Sequence, residues 1–238
     1  MTWPATRTPP TRPCSRAPRD SWEDDAEIRD TATGRFVDRG KLHYVKFAGD
    51  YFSVKGPSIT PRPPQGQPVV AALGHAGAAY RLIGQAADVG FVTPHDPAQA
   101  RALVAEVQAA HAEAGRGAET INVLADLVVF LAPDTHAAAD RKARLDELAG
   151  REYTSDAAVF TGTPAQLASL LQEWQQAGLS GFRLRPGAIP ADLQAITRDL
   201  VPELQRRGVF RTSYDTGPLR GRLGLSRPAS RYAASGRS

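Results

Sequence analysis

The sequence predicts an α/β protein of parallel β/α units, of (β/α)8 TIM-barrel type but with about four of the eight units that close a barrel. Three observations carry that prediction. Short apolar runs alternate with segments of helical periodicity. Glycine or proline marks most junctions between them. The stretch Pro68–Asp96, PVVAALGHAGAAYRLIGQAADVGFVTPHD, holds a strand, a glycine turn, a helix start and a second strand in one short segment.

Taken in order, residues 1–20 (MTWPATRTPPTRPCSRAPRD) have almost no aliphatic content and read as a disordered Pro/Arg-rich tail. Residues 21–232 form the folded domain, and 233–238 form a second tail. SWEDDAEIRD offers Ser21 as an N-cap with Asp24 three residues on, which predicts a short helix. HYVKFAGDYFSV, residues 43–54, predicts a β-hairpin turning at Gly49–Asp50. The five prolines of GPSITPRPPQGQP leave only an extended crossover.

Pro68–Leu73 is an uninterrupted apolar run, as in a strand buried on both faces. Gly74 breaks it, and Ala79, Leu82, Ile83 and Ala86 then fall on one helix face. The amides of Gly74–Ala79 would therefore project from a helix start just past a strand's C-terminal end, where anions are stabilised. Pro97 opens a second helix ending at Gly115 or Gly117, with Ala100, Leu103, Val104 and Val107 on one face. INVLADLVVFL, residues 121–131, is the longest strand candidate. Asp134 caps a helix closed by Gly150. Thr163–Gln166 is a capping box for a helix carrying Leu167, Leu170, Leu171 and Trp174 on one face, with Gly178 at its C′ position. A last strand, 181–184, precedes a helix from about Pro190 to Arg207. The strands at 68–73, 88–93, 121–131 and 181–184 amount to half a barrel.

Charge sits at the ends. Residues 1–19 carry four arginines and residues 216–238 carry five, neither with an acid; of the 29 basic residues 20 remain elsewhere, against 25 acids. An acidic body argues against a nucleic-acid surface. Cys14 is the only cysteine, which excludes an intramolecular disulfide and a thiolate metal cluster and makes a reducing cytoplasm the default location. No apolar run has bilayer length, so no membrane partner is expected. His43, His111 and His136 lack metal-ligand spacing, and no metal site is predicted. GxSxG, GxxxxGK[ST] and GxGxxG motifs are absent.

GPSITPRPPQGQPVV followed by a glycine turn and AADVGFV resembles the bacterial luciferase-like, FMN-dependent monooxygenases, in the nitrilotriacetate and organosulfur branch. SWEDDAEIRD, GKLHYVKFAGDYFSVKGP and LRGRLGLSRPASRY resemble further segments of that branch, so the likeness covers about residues 21–232. It implies a (β/α)8 barrel that binds reduced FMN at the C-terminal face of its strands and uses O2 to oxidise or cleave a small organic substrate. It also implies a separate flavin reductase as partner; an F420-dependent variant ranks below FMN.

Carried onto this sequence, the flavin-phosphate loop falls on Gly74, His75, Ala76 and Gly77, with Tyr80 and Arg81 on the following helix. Where the family commonly has serine after the glycine, His75 and Ala76 stand here. His95, which ends the second strand, and Arg185 are the candidates for substrate or ligand contact. Arg183 and Arg185 alternate along their strand and so share a face. Thr161 and Thr163 precede a helix start that could hold an anion, although capping accounts for them. Catalytic residues are unassigned, as expected where flavin supplies the chemistry. The family's N-terminal half is replaced by the Pro/Arg-rich tail. The chain is thus expected to be inactive alone, or to serve as a non-catalytic half-barrel scaffold that pairs with another copy or a paralogue.

Overall fold

The computed structural model describes residues 18–50 and 52–232. They divide into two compact units, Met1–Val69 with Gly217–Ser238, and Val70–Thr216.

The first unit is held by polar contacts more than by a core. Its strands form two antiparallel pairs: β1 (Glu27–Asp30) with β2 (Arg35–Val37), and β3 (Phe47–Ala48) with β4 (Ser53–Val54). The predicted hairpin is therefore present, and Gly49 N–H donates to Phe52 O across its turn. The predicted helix after Ser21 is not. Ser21 Oγ instead accepts from Ser58 N–H at 2.8 Å, which ties the segment to the proline-rich crossover. The tail boundary also moves, because Pro18–Asp20 is a helical turn and Asp20 is buried. Arg62 explains why. Its fully buried guanidinium donates to Asp20 Oδ1 (2.9 Å), Asp24 Oδ1 (2.7 Å) and Pro228 O (2.6 Å). A buried charge persists only when its donors are satisfied, so these contacts fasten three distant segments together.

The second unit is a five-stranded parallel sheet with three of its four inter-strand helices on one face and the third in chain order against the other. β5 (Ala71–Leu73), β6 (Val89–Val92), β7 (Asn122–Leu131), β8 (Ala158–Gly162) and β9 (Gly181–Pro186) alternate with α1 (Gly77–Ala86), α2 (Pro97–Glu113), α3 (Thr135–Ala149) and α4 (Pro164–Gln175). β7 is long enough to carry two neighbours in succession on one edge. β6 pairs with Asn122–Ala125 and β8 with Leu127–Leu131, while β9 pairs with Leu124–Val129. Because β9 overlaps both of the others, it lies on the opposite edge. The order of barrel staves is thus β5-β6-β7-β9, the four strands read from sequence. β8, which the sequence reading missed, extends the sheet beyond β6.

Register places Ala72, Gly90 and Val123 on one face, followed by Val92, Ala125 and Phe182, then Leu127 and Leu184. That face packs against Ile83 of α1, Val104 and Val107 of α2, and Leu167 and Trp174 of α4. The other face is partly covered only along β7, where Val128 and Phe130 meet Leu145 of α3. The expectation that the first strand is buried on both faces is therefore corrected: Ala71 is exposed and Leu73 is 40% exposed.

Helix starts follow the capping chemistry predicted at Asp134 and Thr163, and Asp96 adds a cap before Pro97 that was not predicted. Asp96, Asp134 and Thr163 accept from Gln99, Ala137 and Gln166 N–H at the starts of α2, α3 and α4, and the Thr163–Gln166 capping box is complete. The last predicted helix is interrupted. α5 (Ala191–Ala195) leads into a π-helical turn, Ile196–Leu200, before α6 (Val201–Arg206). Pro202 has no N–H and its ring would crowd the Arg198 carbonyl of a regular helix. Val201 N–H reaches back five residues to Ile196 O, which is the π-type bond that absorbs the extra residue. A short helix α7 (Leu219–Arg222) belongs to the first unit.

Candidate functional site

The start of α1 lies just past the C-terminal end of β5, where barrels of this type assemble their sites. Gly74 N–H is spent on Phe91 O at 3.0 Å, and the Ala79 and Tyr80 amides both donate to Ala76 O. Among the described residues, the amides of His75, Ala76, Gly77 and Ala78 have no acceptor in the chain. The N-cap is Ala76, whose backbone (φ −155°, ψ 161°) nearly matches that of the capping Asp96 (φ −151°, ψ 168°). The cap geometry is present and the capping oxygen is absent. Such a start presents unpaired donors and the positive end of the helix dipole to an external anion.

Charges of both signs flank this turn. A Cβ at Gly77 would lie 3.1 Å from Glu106 Oε1 and 3.5 Å from Arg81 Nη1, so Arg81 folds back along the first turn while Glu106 approaches from α2. Glu106 is also the second cause, after burial, that raises the Tyr80 pKa above its ordinary value.

A second cluster occupies the open face of the sheet. Asp126, fully buried on β7, accepts from Arg183 Nε at 2.8 Å and from Arg183 Nη2, and lies 3.5 Å from Arg185 Nη1. The Arg183 guanidinium stacks 4.4 Å above the Phe91 ring. Arg185 pairs with Asp156 at 3.0 Å and donates to Ser155 Oγ at 3.0 Å. Asp156 reaches towards His75 Nε2 at 3.8 Å, and His75 Nδ1 lies 3.4 Å from Thr93 Oγ1. Hydrogen bonds from Arg185 first, then Ser155, hold the Asp156 carboxyl below the usual aspartate range. The bond to Asp156 likewise raises Arg185.

The predicted site residues fall into four groups. Gly74, His75, Ala76, Gly77 and Arg81 come together at the start of α1. Tyr80 does not join them, because the true buried stripe of α1 is Tyr80, Ile83, Gly84 and Ala87, one residue away from the predicted face. Its ring is 7% exposed and packs across Gly74, where a Cβ would meet Tyr80 Cδ1 at 2.7 Å. Gly74 is thus required by a close approach inside the core. His95 sits in an exposed loop with its amide on Gln99 Oε1 at 2.6 Å. Arg185 is committed to Asp156 and Asp126 instead of standing ready for a ligand. Reading the sequence missed Asp126 and Asp156. The signal for the first was present: an acid inside the apolar run INVLADLVVFL needs a buried partner.

Comparison with known proteins agrees with this architecture. Residues 28–181 match the model of the family described as luciferase-like monooxygenase. The chain is 30% identical to N-acetyl-S-(2-succino)cysteine monooxygenase of Bacillus subtilis (strain 168), over 90% of this chain and 63% of that protein. It is 28% identical to nitrilotriacetate monooxygenase component A of Aminobacter aminovorans, over 90% of this chain and 61% of that one. A crystal structure of riboflavin lyase with modified FMN and riboflavin superposes with a TM-score of 0.78 at 22% identity, covering 91% of this chain and 60% of that chain. The chain spans about three-fifths of the length of these relatives. With parallel β/α units of barrel type and a family match across residues 28–181, this chain belongs to the luciferase-like monooxygenase family.

Proposed function

We propose that this chain holds the phosphate of a flavin mononucleotide on the amides of His75–Ala78, with Arg81 beside them. In that reading it supplies the cofactor-binding half of an oxygenase acting with O2 on a small organic substrate. A separate reductase delivers the reduced flavin, and FMN ranks ahead of F420. The observation that carries the proposal is the uncapped start of α1, at the C-terminal end of a stave in a chain of this family. The residues fit the group: four neighbouring amides and a guanidinium suit a phosphate's oxygens, and the loop offers no carboxylate of its own to compete with it.

Flavin supplies the oxygen-activating redox chemistry when bound, and the chain's own residues bind, orient and shield. Glu106 sets a limit on that binding, because a carboxylate beside Gly77 repels a phosphate.

Calorimetric titration of the folded chain with FMN and with inorganic phosphate tests the reading. Ala76→Asp places a capping oxygen on a backbone already shaped for it, so it should stabilise α1 by ~1 kcal/mol and weaken both ligands. Glu106→Gln should tighten both. A folded chain that shows no saturable FMN binding would sink the proposal.

A further inference from the structure

The turn that starts α1 carries an imidazole, and that ring is steered by a carboxylate from a distant segment. His75 follows Gly74 directly, and its own amide is among those without an acceptor in the chain. Its Nε2 lies 3.8 Å from Asp156 Oδ2, and its Nδ1 lies 3.4 Å from Thr93 Oγ1 just past β6. Both contacts are long for hydrogen bonds and the side chain is 50% exposed, so the ring is oriented without being consumed. Asp156 is fixed from its far side. It accepts from Arg185 Nη1 at 3.0 Å and from Ser155 Oγ at 2.9 Å, and these bonds hold its carboxyl below the usual aspartate range. Among the described residues Asp156 is the charged group in ion-pair range of the ring, with Arg185 behind it and Asp126 3.5 Å beyond that. Arg81 and Glu106, which flank Gly77, carry opposite signs.

We propose, resting on the flavin-phosphate reading of α1, that the His75 ring is the titratable cation of that site and takes up a proton as the phosphate binds, with Asp156 as its positioning residue. A dianion on the neighbouring amides and a carboxylate 3.8 Å away both favour imidazolium over imidazole. The proton comes from solvent, and no covalent bond to the ligand forms or breaks. The site thus gains a second cation beside Arg81 when the anion is present. Affinity therefore rises as pH falls from about 8 towards the second pKa of the phosphate, about 6, where the ligand begins to lose its own charge.

Calorimetry of the full chain with FMN at about pH 7.5, where the ligand is a dianion, reads the proton when repeated in buffers of different ionisation enthalpy. Net uptake is expected with FMN and none with riboflavin, which lacks the phosphate. His75→Gln, at a half-exposed position, should keep the parent's far-UV circular dichroism and abolish the uptake. It should weaken FMN about three- to fivefold, the scale of one partly solvated ion pair. Asp156→Asn should reduce both uptake and affinity in the parent, and change neither in the His75→Gln background. A merely structural carboxylate would weaken FMN in both backgrounds, and that result would overturn the positioning role. FMN binding without uptake, or uptake unchanged in His75→Gln, would overturn the proposal and leave the amide-held phosphate standing. A folded parent that does not bind FMN would overturn both.

Discussion

The two faces of the β5-β6-β7-β9 sheet are made by the same strands, residue by alternate residue, and they solve different problems. On the helix-covered face Val92, Ala125, Val129 and Leu167 are fully buried, and stability comes from apolar packing. On the open face the one fully buried group of β7's first half is a carboxylate, Asp126, and what holds it is charge. A strand with a period of two can carry both solutions at once. The lesson is that an apolar run does not declare what covers it: INVLADLVVFL is an interior strand on one side and the floor of an ion-pair cluster on the other.

The largest expected effect lies on the covered face. Leu167→Ala removes a fully buried side chain from the junction of α4 with the sheet and should cost about 2–5 kcal/mol in urea unfolding. The matching truncation on the open face, Leu73→Ala, should cost under about 1 kcal/mol, because much of that side chain is already in water. Equal costs would erase the distinction between the faces.

The next effect separates charge from packing. Arg183→Met leaves Asp126 buried with only Arg185, 3.5 Å away, and should cost about 2–3 kcal/mol, below the range for a wholly buried pair because Arg183 is partly exposed. Adding Asp126→Leu should recover most of that loss, since replacing both partners removes the uncompensated charge. A double variant as unstable as the single one would mean that Arg183 acts through its stacking on Phe91.

These positions also show what could be read in advance. All four staves and the caps Asp134 and Thr163 followed from local rules, because apolar run length and capping oxygens act within a few residues. The face of α1 was misplaced by one residue, since Leu82 outweighs Tyr80 in any apolar count while the fold buries the tyrosine ring and leaves Leu82 38% exposed. β8 escaped notice because five residues before a capping box have no period of their own. The π-turn was signalled by Pro202, which bars a regular helix without stating which turn replaces it. Of the candidate site, the Gly74–Gly77 turn was legible as a strand-to-helix junction. The Asp126–Arg183–Arg185–Asp156 cluster was not, because it joins strands about sixty positions apart at its widest span.

The smallest effect concerns how far the open-face cluster depends on pH. Arg185 and Ser155 hold the folded-state pKa of Asp156 below that of the unfolded chain. A depressed carboxylate pKa means the unfolded state binds the proton first, so the pair contributes stability above the ordinary aspartate pKa. That contribution is lost as pH falls from there through the lowered folded value. Asp156 is 43% exposed at its side chain, so solvent screening keeps the change small. Carboxylate titration followed by NMR should show Asp156 ionised below the usual range in the parent, and returned towards that range in Arg185→Gln. Urea midpoints of the two proteins should then converge as the pH drops through this window. Should Asp156 titrate alike in both, the link from His75 through Asp156 to Arg185 would be proximity without coupling. The open face would then rest on Asp126 and Arg183 alone.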